Sequence, residues 1–238
     1  MENETLSFCN DADWRLLAHE TSHQWFGDGI TCKTWNDCWL NEGFATYVTD
    51  LFGRRQFGQS YLDNDISNLS TYIKTVPDGA VHPTDSILES YTDDYFRGKR
   101  VLDGRLTYAK GGVFLHMLNY LLGSDTAFYR CIREYITSPL RYGVATAEDL
   151  RASVERSSGM DLKWFFDEWI YSEGFPIYSI VWSQQDSITT ATVYQQSTSE
   201  KTPFFTMPIQ LEFSGAGLDT TIQLLNDQSP QTLSLIHI

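Results

Sequence analysis

Two histidines and a glutamate stand together near the start of this 238-residue chain, as His19-Glu20-Thr21-Ser22-His23, and a further glutamate, Glu42, follows after eighteen residues. Read as H-E-x-x-H on a helix, the pattern puts His19 and His23 about 40° apart around the axis. Both imidazoles then face one way and can share one metal ion. Zinc takes imidazole nitrogen and carboxylate oxygen readily. Glu20 stands at the edge of that face, where its carboxylate reaches a water beside the metal without ligating the metal. Glu42 is the candidate third ligand. Three protein ligands and one open position mark a catalytic zinc rather than a structural one, and such a zinc lowers the pKa of its water to about 7.

Each residue also has a plainer reading. H-E-x-x-H arises by chance, and a glutamate such as Glu42 is ordinarily a surface residue. The elements that must position them argue otherwise. Asp11 and Asp13 are candidate N-caps. Trp14, Leu16, Leu17, Trp25 and Phe26 give a largely apolar helix that Gly27-Asp28-Gly29 ends. A buried helix carrying two histidines and an acid needs partners for those polar groups, and a metal supplies them. Asn36-Asp37 is expected to cap a second helix running from Trp39 through Val48. Leu40, Phe44 and Ala45 mark that helix as buried around Glu42.

The H-E-x-x-H-x18-E spacing and the string Trp39-Leu40-Asn41-Glu42-Gly43-Phe44-Ala45 resemble the gluzincin aminopeptidases related to membrane alanyl aminopeptidase and leukotriene hydrolase. Thermolysin-like endopeptidases share the helices but space the third ligand one residue further. The resemblance implies one zinc held by His19, His23 and Glu42, with Glu20 as proton shuttle. Met1-Glu2-Asn3 resembles the tail of the family's G-x-M-E-N exopeptidase motif, which implies that Glu2 binds the substrate's free α-amine. Leu6 and Phe8 alternate as a following strand would. Leu106-Thr107-Tyr108-Ala109-Lys110-Gly111-Gly112 resembles the family's Y-x-K-G segment, which implies that Tyr108 donates to the oxyanion, a task that suits a neutral phenol. With thirteen tyrosines in the chain, an ordinary core tyrosine is the plainer reading; Tyr47, Tyr91 and Tyr95 are the lesser alternatives.

Composition limits partners. Seventeen Lys and Arg against thirty-one Asp and Glu give a net charge of −14, which argues against nucleic acid and anionic membranes. No apolar run approaches the ~20 residues that span a bilayer. No signal peptide opens the chain; if Met1 is the interior methionine of G-x-M-E-N, an export signal would lie upstream, so the compartment stays open. Of the four cysteines, Cys32 and Cys38 flank the loop between the two helices. Buried free thiols are expected there, and a Cys32–Cys38 disulfide is the alternative in an exported protein.

The remaining chain reads as helical at about 60–74, 125–137, 147–157 and 161–171, with a long polar loop over 76–104. His82 in that loop and His116 among leucines read as structural. From Ile177 the pattern alternates as in antiparallel strands, at about 179–182, 189–194, 204–213 and 220–225; the last five residues break it and read as a cut or foreign tail. The expected fold is therefore α+β: a mainly helical, thermolysin-like zinc-peptidase catalytic lobe over residues 1–174, then a partial antiparallel β-sandwich over 175–238. The resemblance further implies a fragment that lacks the family's N-terminal β domain and β lobe. The expected activity is zinc-dependent removal of N-terminal residues from peptides with a free N-terminus. An inactive fragment, a zinc-binding scaffold of the same family and an epoxide hydrolase-like relative are the alternatives.

Overall fold

The computed structural model describes Ser7, Cys9, residues 13–215 and residues 218–236. Glu2, with the rest of Met1-Glu2-Asn3, lies outside the described residues, as do Leu6, Phe8 and Asp11. The chain divides into two compact units, Met1–Ser172 and Glu173–Ile238. With a helix-rich first unit and antiparallel sheets in the second, the fold is α+β.

The first unit is built around α2 (Trp39–Phe57), which packs against α1 (Trp14–Ser22), α3 (Gln59–Ile73) and α6 (Gly111–Leu121). The first turns of α2 are buried on every side, from Trp39 through Ala45. These turns lie in the core, which Trp39, Phe44 and Tyr47 fill, and they carry the polar Asn41 and Glu42 into it. The N-terminal neighbour of α2 differs from expectation. Asn36 and Asp37 sit in a 3-10 turn, Trp35–Asp37, and the helix starts at Trp39 with no side-chain cap. Asp37 instead accepts from the backbone N–H of Ala147, 2.9 Å away, at the start of α8 (Ala147–Ser158).

Helix α1 is shorter and less buried than its apolar residues suggest. It ends at Ser22, and Leu17 and Trp25 are exposed. Gln24 and Trp25 bond three residues back, to Thr21 and Ser22, and Gly27 takes a φ of 135°, open to glycine but not to residues with a Cβ. The chain can therefore turn into β1 (Ile30–Cys32), which pairs in parallel with β2 (Gly143–Ala145). The polar stretch 76–104 is not one loop. It holds α4 (Asp85–Glu89) and α5 (Asp94–Val101), each started by a side-chain cap, Thr84 and Asp93. Helices α7 (Asp125–Ile136), α8 and α9 (Lys163–Trp169) complete the unit.

In the second unit β3 (Pro176–Gln185), β4 (Ile188–Ser197) and β7 (Gln231–Ile236) form one antiparallel sheet in the order β3-β4-β7. β5 (Met207–Gly215) and β6 (Leu218–Asn226) form another. The buried Gln195 of β4 bonds Asn226 of β6 at 2.7 Å and both backbone groups of Phe205, so both ends of its side-chain amide are paired. β7 corrects the reading of the tail. Leu233 and Leu235 alternate with Thr232 and Ser234 and face Ala191 and Thr189 across the ladder, so residues to Ile236 continue the strand pattern.

Candidate metal centre and cleft

His19 sits in the last turn of α1 and His23 caps its end, so the two imidazoles lie edge to face with ring centroids 4.9 Å apart. Glu42, in the first turn of α2, meets both. Its Oε2 is 3.1 Å from His19 Nε2 and 3.5 Å from His23 Nε2. One donor atom from each of the three lies within 4.8 Å of the others.

The buried His23 places its Nδ1 2.9 Å from the carbonyl oxygen of Phe26. A carbonyl only accepts, so Nδ1 carries a proton and Nε2 is the nitrogen turned toward Glu42. Such an outer contact both orients a metal-ligating histidine and fixes its tautomer. Burial works to raise the Glu42 carboxyl, but hydrogen bonds and charge from His19 and His23 overcome it and hold the group down at about 2. Glu42 is therefore anionic at neutral pH. Two neutral-capable imidazoles and one carboxylate, converging in a half-buried corner, fit a divalent metal of the zinc type.

The three open onto a cleft of about 770 Å³, lined also by Glu20, Tyr108, Lys33, Trp35 and Leu102. Tyr108 lies on a π-helical turn, Gly104–Lys110, immediately before α6. Its ring runs nearly parallel to that of His19, centroids 6.0 Å apart. The turn is held at its N-terminal end. Asp103 accepts from the backbone of Arg105 and Leu106, and the Arg105 guanidinium bonds the carbonyls of Val76 and Asp78. π-Turns recur at functional sites because they re-aim a side chain.

The structure thus brings His19, Glu20, His23, Glu42 and Tyr108 to one cleft. Glu2 lies outside the described residues. Tyr47, Tyr91 and Tyr95 are not among the residues that line the cleft: Tyr47 is buried against Asn119, and Tyr95 is exposed. His82 stands 3.5 Å from Asp37 and packs edge-on to Tyr171. His116 is 3.4 Å from the Tyr47 hydroxyl. Cys9, Cys32, Cys38 and Cys131 form no disulfide, and Cys32 and Cys38 stand on the cleft wall.

Sequence reasoning missed Asn41, whose Oδ1 accepts from the N–H of Cys32 at 3.1 Å and ties the wall strand β1 to the turn bearing Glu42. It also missed the wall itself, Thr31 to Trp35, which carries no periodic signal.

Residues 6–169 match the family model described as the peptidase family M1 domain. The chain belongs to peptidase family M1. This M1 chain is 29% identical over 205 residues to a probable aminopeptidase 2 of Sulfurisphaera tokodaii, covering 84% of the chain and 25% of the relative. It superposes on the crystal structure of Legionella pneumophila aminopeptidase A in complex with aspartic acid with a TM-score of 0.73 and 21% identity, over 93% of the chain and 24% of that protein. A mutant M1 zinc metallopeptidase from Deinococcus radiodurans gives a TM-score of 0.55 and 25% identity, over 66% of the chain and 32% of that protein. The chain therefore spans about a quarter to a third of the length of these M1 proteins.

Proposed function

We propose that residues 1–174 form the helical catalytic lobe of a zinc aminopeptidase, with residues 175–238 as an appended β domain. The observation that carries this reading is the convergence of His19, His23 and Glu42 on one point that opens into a cleft shared with Glu20 and Tyr108. The names of the M1 proteins it resembles support the same reaction class.

One zinc held by the three ligands would supply a Lewis acid for the scissile carbonyl and lower the pKa of a water. Glu20 takes the proton of the attacking water and passes it to the departing amine. The Tyr108 hydroxyl donates to the carbonyl oxygen as negative charge develops there. His23, locked by Phe26, and Glu42, kept anionic by its histidine neighbours, hold the ligand geometry. Glu2 accepts the substrate's free α-amine, a role that rests on the resemblance of Met1-Glu2-Asn3 to the exopeptidase motif.

The test is hydrolysis of an aminoacyl-anilide by the zinc-loaded chain, beside the same substrate N-acetylated. Cleavage confined to the free-amine substrate is expected. Equal cleavage of both would contradict the exopeptidase reading.

A further inference from the structure

We propose that Gly43 and Gly111 form a spacer that sets the distance between the metal-ligand triad and Tyr108. They are positioning residues for the oxyanion donor, and the proposal rests on that reading of Tyr108.

Gly43 follows Glu42 directly, and Gly111 stands three residues after Tyr108. Helix α2 packs on both α6 and the π-helical turn, and at the crossing no side chain separates the backbones. A Cβ on Gly43 would stand 3.0 Å from the carbonyl carbon of Gly111 and 3.1 Å from its Cα. A Cβ on Gly111 would stand 3.2 Å from the Cα of Gly43 and 3.5 Å from the Cβ of Trp39. The closest of these are backbone atoms, which cannot rotate away. Conformation does not explain the glycine at 111, since Gly111 has a φ of −61° and a ψ of −44°, open to any residue. Gly43 lies inside an α-helix, where glycine weakens the helix relative to alanine. Space explains both.

The consequence is directional. The three ligands belong to α1 and α2, on one side of the crossing, and Tyr108 belongs to the π-turn on the other. A methyl group at the crossing pushes the turn away from α2 and carries Tyr108 with it, while His19, His23 and Glu42 stay together. Gly112 provides a contrast. A Cβ there meets Thr46 Cγ2 at 3.0 Å and Thr46 Cβ at 3.3 Å, side-chain atoms, with the nearest backbone atom, the Gly43 oxygen, at an ordinary 3.6 Å.

The experiment uses the full 238-residue chain labelled with 3-fluorotyrosine and loaded with Co²⁺, whose absorption spectrum reports the ligand set. The Tyr108 ¹⁹F resonance is assigned by its loss in Tyr108→Phe. In Gly43→Ala the Tyr108 resonance should move while the Co²⁺ stoichiometry and spectrum match the unsubstituted chain. On the zinc form kcat should fall about tenfold or more with KM within about twofold, since misplacement by an ångström costs on this scale. Added to Tyr108→Phe, Gly43→Ala should lower kcat less than about twofold further, because the group it misplaces is already gone. Gly111→Ala, with its softer contacts, repeats the test if Gly43→Ala does not fold. Gly112→Ala should leave the Tyr108 resonance in place. An unmoved Tyr108 resonance in Gly43→Ala, a changed Co²⁺ spectrum, multiplicative losses in the double variant, or an equal shift from Gly112→Ala would each overturn the spacer. If the unsubstituted chain cleaves nothing, the functional reading fails, and the resonance and the spectrum still decide the spacing.

Discussion

The carbonyl of Phe26 holds Nδ1 of His23 at 2.9 Å, and the Phe26 ring lies flat on Phe44, centroids 4.2 Å apart and planes within 2°. Phe44 is two residues from Glu42 on the same helix. A stacked aromatic pair therefore ties the segment that follows α1 to α2, and its Phe26 member also carries the carbonyl that meets His23 Nδ1.

Phe26 should thus matter to the metal without touching it. Phe26→Ala keeps the backbone carbonyl but removes the stack that positions it, so zinc affinity should fall, by at most the ~10–100-fold that losing an outer-shell partner costs. Burial of this ring also predicts a loss of about 3–5 kcal/mol in stability. Chelator competition measures the first and thermal unfolding the second. Unchanged zinc affinity in a folded Phe26→Ala protein would show that the His23 contact does not depend on the stack.

Glu20 and Tyr108 are assigned to chemistry rather than to metal binding. Glu20→Gln should keep its zinc and lose peptidase activity. Tyr108→Phe should keep its zinc and lose about 10²–10³-fold in kcat, the typical loss on removing one oxyanion donor. Steady-state kinetics on an aminoacyl-anilide, with zinc content measured on the same samples, checks both. Near-normal turnover in either variant refutes the role given to that residue.

The pH dependence of stability should carry a mark of Asp50. This carboxyl is buried in α2, and burial together with the hydrogen bond and charge of Asp65 pushes it up to about 8. One of its oxygens, Oδ2, has no hydrogen-bond partner. A carboxyl whose folded pKa exceeds its unfolded value of about 4 binds its proton more tightly when native. Its stabilisation is complete below about pH 4 and is lost as pH rises through about 8. Asp50→Asn has no proton to lose. Its melting temperature should fall less between pH 5 and 9 than that of the unsubstituted chain, and parallel curves would contradict the shift.

The grouping of His19, His23 and Glu42 was legible because its information is local. His19 and His23 are one helical turn apart, and Glu42 sits in a run of apolar residues that can only be a buried helix. Tyr108 was legible through its neighbours Lys110 and Gly111, but its π-turn was not, because Arg105 holds that turn to carbonyls 27 and 29 residues away. The work of Asp37 was hidden for the same reason: its partner Ala147 is 110 residues along the chain. The three-residue strands β1 and β2 are too short to show a period. β7 was hidden by its position at the end of the chain, although its alternation was there to be read.

The most direct test of the account is metal content. The purified chain is stripped with chelator, returned to excess zinc, desalted and analysed for zinc per chain, alongside His23→Ala. The unsubstituted chain should retain one zinc, and His23→Ala far less than one at the same free-zinc concentration. Free-amine peptidase activity should return only in the sample that retains the metal. Equal zinc in both proteins, or none in the unsubstituted chain, would contradict the assignment of His19, His23 and Glu42 as its ligands.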